Sequence, residues 1–117
     1  MRLVGSKTEE DFRDVLIKSH KSLFNGDSYR GLLQVLKTSF PEMKTAYFIR
    51  HTPEQGEDFY TMLVDIETIA TIEISRYSQD EKPIVEISSI NDFKNGISKV
   101  EQIKLAVALD LAKKDIL

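Results

Sequence analysis

The stretch from Ser98 to Asp115, SKVEQIKLAVALDLAKKD, constrains the fold more than any other, because at helical spacing it carries two apolar lines instead of one. At about 100° per residue, Val100, Ile103, Val107 and Leu111 align on one side, and Leu105, Leu109, Ala112 and Ile116 on nearly the opposite side. A surface helix needs only one apolar stripe. Two stripes require cover on both sides, either from two layers of the same fold or from a second copy of the chain. Ser98 and Glu101 have capping-box spacing, which starts this helix near Lys99, and Lys113 and Lys114 suit its carbonyl end.

The rest of the chain supplies the layers. Thr8 before Glu9, Glu10 and Asp11 reads as a cap followed by an acidic first turn, so a first helix is expected from Glu9, with Phe12, Val15, Leu16, Ser19 and Leu23 on one face. Asn25-Gly26 is expected to stop it with a left-handed residue. A second helix capped by Asp27 or Ser28 carries Tyr29, Leu32, Leu33, Leu36 and Phe40, and Pro41 ends it. From Lys44 the period drops to near two. Strands are expected over 44–51, 58–66, about 70–77 and 84–90, the second and third taken as separate because one strand from Asp58 to Tyr77 would be too long. The segment 91–96, NDFKNG, reads as a connector. The expected fold is α+β in a single domain over 1–117: two N-terminal helices, a four-stranded, mainly antiparallel sheet, and one C-terminal helix packed on the sheet. All helices are expected on the one apolar face.

Composition narrows the class of function. With 41% hydrophobic and 30% charged residues, no long apolar run and no secretory leader pattern, the chain is expected to be cytoplasmic and without a membrane role. The lack of cysteine removes disulfides, thiolate metal sites and cysteine nucleophiles. A net charge of −3 argues against a nucleic-acid partner. Charge is also uneven. Residues 1–40 hold seven Lys/Arg against five Asp/Glu, 41–90 hold four against ten, and 91–117 hold five against four. The middle of the chain is therefore strongly acidic.

Motifs for catalysis or cofactors are missing. The five glycines are scattered singly, and no GxGxxG, Walker, GxSxG or paired-histidine spacing is present, so no cofactor and no metal are expected. His20 lies beside the first helix's apolar stripe, where it reads as a boundary residue. His51 precedes a loop with Glu54, Glu57 and Asp58, which leaves a small enzyme with a His51 base as a remote alternative.

Alternation places Tyr60, Met62, Val64, Ile66, Ile72, Ile74, Val85 and Ile87 inward, hence Asp65, Glu73 and Glu86 outward, with Arg50 and Arg76 near enough to relieve their repulsion in part. Adjacent rings in strands point to opposite faces, so Phe48, Phe59 and Tyr77 join the outward set. An acidic surface with rings fits a protein contact, and the partner it fits is a basic protein. The expected function is a non-enzymatic protein-binding module, an inhibitor or immunity-type protein being one form of it. The alternative is a homo-oligomeric small-ligand-binding protein, its interface being the stripe of Leu105, Leu109, Ala112 and Ile116.

Overall fold

The computed structural model describes residues 3–77 and 81–117. In chain order it has α1 (Lys7–Asn25), α2 (Arg30–Ser39), β1 (Ala46–Glu54), β2 (Glu57–Val64), β3 (Thr68–Ser75), β4 (Ile84–Ser89), α3 (Ile90–Lys94) and α4 (Lys99–Ile116). The strands form one antiparallel meander in the order β1-β2-β3-β4. This is the expected α+β architecture, with α4 packed on the sheet.

The helix termini follow side-chain chemistry. Ser6, not Thr8, caps α1: its hydroxyl accepts from the Glu9 N–H at 3.3 Å, and the Glu9 carboxylate accepts from the Val4, Gly5 and Ser6 N–H groups. The Ser6-x-x-Glu9 box satisfies several orphan donors at once, which Thr8 alone cannot do. At the other end Gly26 is extended (φ −101°), not left-handed. Glycine is needed there because a Cβ would sit 2.8 Å from the Ser22 carbonyl oxygen. α2 has no side-chain cap, since the Asp27 carboxylate accepts from Arg30 at 2.8 Å instead. The connector expected over 91–96 contains the short helix α3, capped by the Ser89 hydroxyl. α4 begins at Lys99 with the Ser98 hydroxyl accepting from the Glu101 N–H, as expected.

The helices do not all lie on one face of the sheet. One core joins Leu16 of α1 and Leu105, Val107, Ala108, Leu111 and Ala112 of α4 to Tyr47, Ile49, Leu63 and Ile69. The other joins Leu32 and Leu36 of α2, and Leu23 of α1, to Ala46, Phe48, Tyr60, Met62, Val64, Ala70 and Ile72. The expectation of a single covered face is corrected, and the physical reason is in β1 and β2, whose inner halves are apolar on both faces. Each strand of that kind requires two covering layers. α1 reaches both cores, and its His20 Nδ1 lies 3.0 Å from the Ala46 carbonyl oxygen of β1. A bulge between Phe48 and Arg50 inserts Ile49, so that Ile49 and Arg50 both serve the α4 side while His51 turns to the α2 side.

Candidate functional site

The β2–β3 turn fixes where the outward residues go. Asp65 adopts a left-handed conformation (φ 53°), and its Oδ1 accepts from the Lys44 and Thr45 N–H groups at 2.8 and 3.0 Å. Its carboxylate is thus committed to holding the start of β1. From this turn, β2 and β3 run in register to the pair Glu57 and Ser75 at the far end of the hairpin, with Phe59 opposite Glu73. Glu73 in turn lies opposite Ile84, and Glu86 opposite Thr71. Glu57, Phe59, Glu73, Ile84 and Glu86 consequently cluster at the outer end of the sheet, beside the core that α4 covers.

This end is acidic. Hydrogen bonding to Glu57 chiefly, together with desolvation and the nearby Glu81 and Glu86 charges, raises the Glu73 pKa above the usual carboxylate value. Among the described residues no ion pair engages Glu57, Glu73 or Glu86. Neither expected arginine relieves them. Arg50 pairs with Glu101 at 2.5 Å and lies over the Phe93 ring, which holds the Glu101 pKa below its usual value and ties β1 to α3 and α4. Arg76 pairs with Asp58 at 3.2 Å on the opposite face.

The other sequence-derived positions fall in different places. Asp65 sits at the far end of the hairpin from Glu73 and Glu86. Phe48 is buried beneath α2, in contact range of Tyr29 and Tyr60. Phe59 is half-buried on the acidic face, and Tyr77 is 85% exposed, its ring laid against Gly56. Leu105 and Ala112 are fully buried in the chain's own core, which leaves only Leu109 and Ile116 of that stripe partly open. Glu57 and Ile84 were not among the expected site residues. The period-two pattern places both on the face of Glu73 once the strand register is known.

The two histidines have structural partners. His51 Nε2 meets Asp58 Oδ1 at 2.9 Å and its ring stacks on Tyr60, whose pKa is pushed up to about 12 by burial and then by the Asp58 charge. Of this trio only His51 is exposed, Tyr60 being buried in the core beneath α2, and Asp58 also pairs with Arg76. His20 stacks on Tyr47, whose hydroxyl and that of Thr45 both donate to Asp115 Oδ2, linking the end of α4 to β1. Burial and then that hydrogen bond raise the Tyr47 pKa. Among the described residues no three His, Asp or Glu side chains converge on a point that could hold a metal ion. No helix is long and apolar enough to cross a membrane. No family model matches the chain, and no curated protein or solved structure matches it significantly.

Proposed function

We propose that this chain is a non-enzymatic protein-binding module whose acidic sheet end, Glu57, Glu73 and Glu86 with Phe59 and the neighbouring Tyr77, receives a basic protein. The observation that carries the reading is the gathering of three carboxylates on adjoining strands, with no cationic side chain paired to them among the described residues. Like charges on neighbouring strands cost stability in the free protein. A cationic partner relieves that cost on binding, and it is steered toward the patch before contact. An inhibitor or immunity-type protein for an enzyme with a cationic site has this surface chemistry.

The test is affinity capture from native extract at low and high salt, with wild type and with Glu73→Lys/Glu86→Lys, followed by affinity measurement on the purified partner. A basic partner held by wild type and weakened by about tenfold or more by the double reversal is the expected result. Equal affinity of both proteins for every captured partner would sink the reading.

A further inference from the structure

β4 is the last strand of the sheet, and among the described residues no strand pairs with its outer side. Alternate N–H and C=O groups along Ile84–Ser89 therefore face outward and await partners. The opposite edge is guarded. β1 has α1 beside it, a bulge at Ile49 and Pro53 near its end, each of which discourages pairing. β4 has neither bulge nor proline within it, and two of its apolar side chains, Ile84 and Ile87, are 52% and 64% exposed.

The two faces beside this edge differ in chemistry. On one face lie Glu73, Glu86 and Ile84. On the other lie Val85 and Ile87, next to a groove of about 700 Å³ between α2 and the β3–β4 hairpin, lined by the apolar Val35, Ile74 and Val85 together with Gln34, Glu81 and Lys82. An added strand sends successive side chains to opposite faces. It would lay alternate residues against the glutamates and the intervening ones against Ile87 and the groove. A second copy of this chain is a poor occupant, because its own Glu86 and Glu73 would be brought to the same acidic face.

We infer that β4 takes an extended segment of the partner as a fifth strand, one in which basic and apolar residues alternate. This rests on the acidic-end reading and adds to it the mode of recognition, main-chain pairing for affinity and alternate side chains for selectivity.

The probe is a capped peptide of alternating lysine and valine, about eight residues long to match a strand, titrated into the full chain. The expected result is salt-weakened binding, with outward amides of Ile84–Ser89 exchanging at least about tenfold more slowly in the complex and β1 amides unchanged. Ile87→Lys should weaken the peptide while leaving the protein folded. Binding that Glu73→Lys/Glu86→Lys abolishes, with β4 exchange unchanged, would overturn strand addition and leave the acidic-end reading standing. Full affinity and β4 protection in the charge-reversed protein would overturn the basic partner instead. No binding of the alternating peptide, or a wild-type dimer in light scattering that Ile87→Lys dissociates, would overturn the inference, the latter in favour of a second copy.

Discussion

Asp65 shows how one side chain can set a register. A left-handed conformation is costly for most residues, and a short polar side chain that bonds nearby backbone is among the few that tolerate it. Here two N–H groups of the segment leading into β1 repay it. Asp65→Ala should lower stability by about 2 kcal/mol, because it leaves the buried Thr45 N–H without its acceptor, and equilibrium urea unfolding measures this. Two glutamates should respond to pH in opposite senses. Glu9 accepts several backbone N–H groups, which lowers its pKa, so its contribution is present above the ordinary carboxylate pKa and is lost as pH falls through the lowered one. Glu9→Gln should therefore cost stability at pH 7, and the gap to wild type should close on acidification. Glu73 has a raised pKa, so the folded state gains from its protonation. Glu73→Gln should raise Tm at pH 7, with the gain fading as pH falls through that raised pKa; melting curves across pH would contradict this if the variant melted lower at neutrality.

At the scale of elements, glycine positions separate two kinds of demand. Gly31, inside α2, has nothing within 4 Å of where a Cβ would be. Gly31→Ala should then stabilise α2 by about 0.5 to 1 kcal/mol, read from the urea midpoint. Gly56, at φ +85° in the β1–β2 turn, should behave in the opposite way, Gly56→Ala costing about 1 to 2 kcal/mol. The sequence made the strands legible through their period of two, and α4 through its cap and its two stripes. The stripes meant burial within the chain along most of their length, which is why Leu105 and Ala112 are core residues. The side of the sheet taken by α2 was not legible, because its apolar face matches either side of strands apolar on both. The acidic end was legible in part. Period-two alternation brought Glu73 and Glu86 together, but it also included Asp65, whose backbone partners are twenty or more residues away in the chain.

For the whole molecule, the placement of α4 decides what damage at its surface means. Leu105→Glu buries a carboxylate in a core with no partner for it, and the expected outcome is an unfolded chain by circular dichroism, not a folded monomer. The sheet also acts as a partition. Leu16 and Leu36 sit in separate cores on opposite sides of the sheet, linked by the strand backbones and by α1, which places Leu16 in one and Leu23 in the other. Truncating both to alanine should cost the sum of the single effects, each about 2 to 5 kcal/mol, with a coupling energy within about 0.5 kcal/mol of zero. A chain built this way has two reservoirs of sequence variation joined at α1: away from that helix, one side can be repacked over evolutionary time, residue by residue, while the other keeps its own set of side chains intact.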